Sequence, residues 1–244
     1  MKIEILLLLF SITSFSQNQP IEADRPDQTE TPSIVPVGMY QVESGFSYQK
    51  YEERNEDFTL PSTLWKYGVS KSIELRMITE FISEKNYEKK TNGFLPCAVG
   101  FKINLFDENK WLPKTSLISH VTLKNCASAN FKNDYYVPDF RFTMQHTLGK
   151  NHTLGYNLGV EWDGFTKQSM LLYTATTGYS LNEKLGCYIE IFGFATQKET
   201  ASHNFDCGFT YLINNNLMLD ISSGIGITIN APQHYFALGI TFRI

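Results

Sequence analysis

From Met39 to Ile244 the chain alternates, one residue at a time, between apolar side chains and polar residues or glycine. Neighbouring side chains of a β-strand point to opposite faces, so this pattern describes a large antiparallel sheet with one greasy face and one polar face. The last segment shows it plainly: Phe236, Leu238, Ile240, Phe242 and Ile244 share one face, while Ala237, Gly239, Thr241 and Arg243 share the other. Leu217, Leu219, Ile221 and Ile225 alternate likewise with Met218, Asp220, Ser222 and Gly224. Upstream, Phe205, Cys207 and Phe209 oppose Asp206 and Gly208, and Leu154, Tyr156, Leu158 and Val160 oppose Gly155, Asn157, Gly159 and Glu161. Nearer the start, Tyr40, Val42, Phe46 and Tyr48 oppose Gln41, Glu43, Gly45 and Ser47. Segments near 114–124, 169–181 and 185–195 fit less cleanly, and in the last of them Tyr188, Phe192 and Phe194 make the face with Glu190 apolar too.

The count comes to about twelve strands, each near the ~9–11 residues that a tilted strand needs to cross a bilayer. An even number suits a single-chain bacterial barrel whose two ends lie on one side. The connections alternate as such barrels require. Ser70-Lys71-Ser72, Gly149-Lys150-Asn151, Asn182-Glu183-Lys184 and Asn214-Asn215 are short and built of turn formers. Between them come longer charged stretches at 52–57, 83–93, 125–136 and 196–202. Two connections break the rule: 106–113 is long for a periplasmic turn, and 164–167 is short for an outer loop.

A soluble β-sandwich or lipocalin-like barrel would also alternate. There the outer face carries Lys, Glu and Thr, whereas the polar face here is rich in glycine with charges in mid-strand. Aromatic residues make up 14% of the chain and charged residues only 19%, an unusual balance for a secreted soluble domain. Mean hydropathy is -0.22, and no segment of the expected mature chain approaches ~18 continuous apolar residues, so a helical membrane protein is excluded. A net charge of -4 argues against nucleic acid as a partner. The expected fold is all-β: a transmembrane antiparallel up-and-down β-barrel, preceded by a signal peptide and a short extended segment.

Residues 1–16 read as that signal peptide: Lys2 supplies a positive start, Ile5 to Ile12 an apolar run, and Ser14 and Ser16 a cleavage site. No Cys follows the apolar run, which argues against a lipid anchor. Residues 17–38 form the extended segment, in which Pro20, Pro26, Pro32 and Pro36 break any helix or central strand. Residues 39–244 form the barrel. Cys97, Cys126, Cys187 and Cys207 are an even number in an exported chain, which admits disulfides. Their wide spacing, and strand positions for three of them, favour small apolar side chains instead. No CxxC pair or Cys/His cluster suggests a metal site, and no cofactor motif is present.

Ala23-Asp24-Arg25-Pro26-Asp27-Gln28-Thr29-Glu30-Thr31-Pro32, then Val35-Pro36-Val37-Gly38 and Gln41-Val42-Glu43-Ser44-Gly45, resemble the start of an outer-membrane transporter-like family named for a MetA pathway of phenol degradation. Tyr67-Gly68-Val69-Ser70-Lys71-Ser72-Ile73-Glu74-Leu75-Arg76, Gly155-Tyr156-Asn157-Leu158-Gly159 and Ile189-Glu190-Ile191-Phe192-Gly193 follow in the family's order. The chain departs from it after Gly93, where Phe94-Leu95-Pro96-Cys97 replaces a Gly-Asp pair that often opens the next strand. The resemblance implies a barrel in the bacterial outer membrane and transport of small solutes, aromatic or otherwise hydrophobic ones included.

A charge facing lipid costs about 2–4 kcal/mol at the bilayer midplane, so the mid-strand charges are expected to face the lumen. These are Glu74, Arg76, Glu80, Lys102, Asp139, Arg141, Glu161, Glu190, Asp206 and Asp220, with Glu43 beside them. They either line a solute path or form an ion network that fills a narrow barrel. Asp24, Arg25, Asp27 and Glu30 are expected to reach in and pair with them, as a plug. The expected partners are outer-membrane lipid, a small-molecule solute and barrel-assembly machinery, which would read the C-terminal strand. The rival classes are a non-conducting structural or adhesive barrel and a membrane enzyme. His120, His146, His152, His203 and His234 are available to an enzyme, but none sits in a recognisable motif, and no catalytic residue is assigned.

Overall fold

A computed structural model describes residues 19–51, 55–166 and 168–244. The stretch read as a signal peptide, residues 1–16, lies outside the described residues. The strands are β1 (Tyr40–Lys50), β2 (Asn55–Ser70), β3 (Ile73–Asn86), β4 (Lys89–Phe94), β5 (Ala98–Phe106), β6 (Lys114–Thr122) and β7 (Val137–Gly149). They continue as β8 (His152–Trp162), β9 (Ser169–Ser180), β10 (Leu185–Thr196), β11 (Ser202–Asn214), β12 (Leu217–Gly226) and β13 (His234–Arg243). Consecutive staves pair antiparallel, and β1 pairs with both β2 and β13, so the sheet closes on itself; β4 alone among the described strands has a single strand partner, β3.

The thirteen strands of the described residues make twelve staves. β4 and β5 both pair with β3, through Phe81↔Phe94 and Ile78↔Ala98, and form one stave broken at Leu95-Pro96-Cys97. Proline has no amide hydrogen for the ladder, and the break falls where Pro96 stands. Leu95 and Cys97 still donate their amides, to Glu80 O (2.9 Å) and Cys126 O (3.0 Å). The strand expected to open at Leu95 therefore begins at Ala98.

One end of the barrel carries the tight turns at 71–72, 150–151, 181–184 and 215–216; the exceptional 107–113 connection is there too, tied by a bridge between Asn109 and Leu112. The other end carries the loops. Two of these are shorter than expected. Asn55–Asp57 belongs to β2, and 83–93 is a paired hairpin that turns at Tyr87-Glu88. Both stretches are polar on both faces, so pairing leaves no hydrophobic alternation in their sequence.

Glycine matters where strands and segments crowd: Gly68 lies against the Val35 and Pro36 carbonyls, leaving no room for a Cβ. The outer face is a continuous apolar belt, including Val99, Phe140, Leu158, Phe209, Leu219, Ile221, Leu238 and Ile240. At the turn end Tyr40, Tyr67, Tyr179 and Tyr211 form a girdle, with Tyr40 and Tyr67 rings 4.6 Å apart. Arginine at Ile221, central in β12, should destabilise the barrel by about 2–4 kcal/mol, and at Ile225, near the loop end, by about 0–1 kcal/mol. Denaturation of the refolded protein in vesicles checks this; equal costs would put β12 somewhere other than against lipid.

The three segments with poor alternation have one cause. Ile118 on β6, Leu172 on β9, and Tyr188 and Phe192 on β10 are apolar or aromatic side chains that turn inward, and all four are buried.

Candidate functional site

Residues 19–38 enter the barrel at the turn end, cross its interior and return to the same end. Ile21 N donates to Asn215 O (2.9 Å) on the way in, and Val37 bridges to Gly68 on the way out. An irregular chain in a barrel lumen must find partners for its own peptide groups. Here the wall's side chains supply them. Glu43 accepts from the amides of Asp24 (2.9 Å) and Arg25 (3.0 Å), Glu190 from Gln28 (2.8 Å), and Glu74 from Val35 (2.9 Å). Asn157 accepts from Glu30 N (2.7 Å) and donates back to Glu30 O (3.1 Å). Lys102 donates to Thr31 O (2.7 Å) and Ser116 to Pro32 O (2.6 Å).

The side chains of the segment join a charge network. Asp24 pairs at once with Lys66 (2.9 Å), Arg76 (3.0 Å) and Lys102 (2.9 Å). Glu30 bridges Arg76 and Arg141, the latter at 3.1 Å. Lys66 also meets Glu43, and Arg76 meets Glu74 at 3.1 Å. Four carboxylates (Asp24, Glu30, Glu43, Glu74) thus face four cations (Lys66, Arg76, Lys102, Arg141), and the region closes electrically neutral. Buried charges persist only when paired and hydrogen-bonded, which these are. Beside the network, His120 accepts from Arg76 Nε at its Nε2 (3.1 Å), which leaves its Nδ1–H to donate to Asp139 (3.0 Å).

Arg25 reaches the other way, to Asp220 on β12 at 2.9 Å. Gly45 and Gly239 make that reach possible, because a Cβ on either would overlap its guanidinium group. Beyond this pair the wall is acidic. Glu190, Asp206 and, from the segment, Asp27 sit together with no basic side chain paired to them among the described residues. Glu80 accepts from Ser62 Oγ (2.7 Å) nearer the loop end, where Glu161 also faces inward.

The segment divides the lumen into two chambers. One of about 410 Å³ lies toward the turn end, lined by Asn151, Thr153, Thr176, Ser180 and Thr210. The other, of about 650 Å³, opens toward the loops between Phe46, Phe192, Phe194, Glu161 and Asp206. Arg25 and Pro26 line both.

The sequence did not single out Lys66, Asn157, Asn204 or Tyr235, although alternation puts each on the inward face. In the sequence Lys66 is one member of a polar face opposite Trp65 and Tyr67, and nothing there marks it as a buried charge. The cysteines are free thiols, and no group of His, Cys, Asp and Glu among the described residues is arranged to hold a metal.

Among curated protein sequences none matches the chain. Solved structures do. A COG4313 outer membrane channel from Pseudomonas putida F1 superposes with a TM-score of 0.68 at 11% identity, over 90% of this chain and 99% of that one. The NanC porin gives 0.57 at 10% identity over 84% and 100%, and the KdgM porin 0.52 at 10% over 83% and 98%. These likenesses show an outer-membrane barrel fold. Residues 23–244 match a family model described as "Putative MetA-pathway of phenol degradation", and the chain belongs to that family.

Proposed function

We propose that the protein is a channel for small solutes in the outer membrane of a Gram-negative bacterium, narrowed by its own residues 19–38. The observation that carries this reading is the pair of lumen chambers with that segment between them, the segment being held mainly by side-chain hydrogen bonds and ion pairs. Closing strand β13 is the element that barrel-assembly machinery would read. The inward aromatics of β10 favour solutes with an apolar or aromatic body over small ions alone.

The mature chain refolded into liposomes should permit swelling that depends on solute size and identity. Exchanging Arg76 and Arg141 for Gln removes two positive charges from the path and should shift the reversal potential in a salt gradient toward cations. Unchanged selectivity would place these groups outside the conducting route. A second reading, a non-conducting barrel, is favoured by the density of the network around Asp24. Absence of swelling from protein that keeps its heat-dependent gel shift would decide for it.

A further inference from the structure

The loop-end chamber has a chemistry of its own. Its acidic lining groups are Glu80, Glu161, Glu199 and Asp206, and the one lining cation among the described residues, Arg25, is already committed to Asp220 at 2.9 Å. Two of its polar side chains are almost wholly buried yet incompletely bonded. Asp206 is 2% exposed, and its Oδ2 accepts from Tyr188 Oη (3.3 Å) while Oδ1 has no partner. Asn204, also 2% exposed, spends its Nδ2 on Ser202 Oγ (3.2 Å) and leaves Oδ1 bare. Tyr235 Oη lies beside Asp206 without a well-formed hydrogen bond to it.

Buried polar atoms are normally paired, and leaving an acceptor unmade costs about 1–3 kcal/mol. Two bare acceptors, one of them a carboxylate, call for a donor that carries positive charge. Next to them stand the rings of Phe192 and Phe194, 6.0 Å apart and edge-on. Aromatic faces attract an ammonium group and pack an apolar body. A ligand pocket of this kind typically measures ~300–1,000 Å³, and the chamber's volume of about 650 Å³ falls within that range.

We propose that this chamber binds small organic cations, with a primary ammonium group on an aromatic or aliphatic body. The ammonium donates to Asp206 Oδ1 and Asn204 Oδ1, and the body lies against Phe192 and Phe194. The proposal deepens the channel reading by naming a solute class, and rests on it for access from the loop end.

The test is equilibrium binding to the mature chain refolded in detergent micelles, where conduction plays no part. The probes are 2-phenylethylamine, its neutral counterpart 2-phenylethanol and the acid phenylacetate. The amine should bind at least tenfold more tightly than either of the others. Asp206→Asn should abolish that preference, and Asn204→Leu should weaken amine binding several-fold; each is scored only in protein retaining the heat-dependent gel shift. If neither variant folds, competition of the amine by potassium and by tetramethylammonium on the unaltered protein replaces them: tetramethylammonium, lacking N–H donors, should compete poorly. Equal affinity for amine and acid, or an amine preference untouched by Asp206→Asn, overturns the proposal. Binding without liposome swelling keeps this inference and sinks the channel; swelling without amine preference does the reverse.

Discussion

Asp24→Asn should destabilise the barrel by about 3–5 kcal/mol, the usual cost of removing one partner from a buried ion pair. The carboxylate is shared by Lys66, Arg76 and Lys102, all nearly inaccessible to solvent. Lys66 and Arg76 keep Glu43 and Glu74, but the next carboxylate from Lys102 is Glu74, at 3.8 Å. Urea titration of the protein refolded in vesicles reads the change as a shifted midpoint. Asp27→Asn is the contrast, since its charged neighbours are acidic: it should be neutral or stabilising. A loss below about 1 kcal/mol for Asp24→Asn would mean that water already solvates the three cations, as it does in exposed pairs.

Deleting residues 18–36 should raise single-channel conductance several-fold. The two chambers, of about 410 and 650 Å³, share Arg25 and Pro26 as a wall, and without it they become one passage. Planar-bilayer recordings check this. Should the deleted chain fail to fold, Glu30→Gln combined with Asn157→Leu carries the same expectation in weaker form. Those changes loosen the grip on the segment by removing its contacts with Arg76, Arg141 and Asn157 while leaving the chain complete. Conductance unaltered in a folded deletion variant would show that the segment does not obstruct the route.

Much of this architecture is legible because lipid and lumen impose opposite chemistry on consecutive residues. Leu219, Ile221 and Ile225 against Asp220, Ser222 and Gly224 leave no other register for β12. The signal fails where one of the two environments is missing. Above the membrane, Asn55–Asp57 and the hairpin around Tyr87 meet water on both faces, so they read as loops. On β9 and β10, Leu172 and Phe192 face the lumen, so both faces are apolar and the strands look irregular. Which charges the lumen brings together was beyond the pattern: alternation gives the face of Lys66 and of Asp24's neighbours, but partnership across staves depends on register and tilt. Asn204 and Tyr235 could be placed inward, yet nothing in their sequence marks them as lacking partners.

The wall's cations are gathered on one side, where Glu43 and Glu74 offset only part of their charge. Lys66, Arg76, Lys102 and Arg141 stand on β2, β3, β5 and β7, and across the barrel Glu190, Asp206 and Asp220 stand on β10, β11 and β12. While the N-terminal segment is seated, its Asp24 and Glu30 face the basic wall and its Arg25 the acidic one, and they quench this polarity. Withdrawing it would unmask an electric field running across the pore, perpendicular to the direction of transit. A solute with separated charges would then be turned and held sideways as it passed, so that zwitterions and strongly dipolar molecules would be sorted by orientation as well as by size.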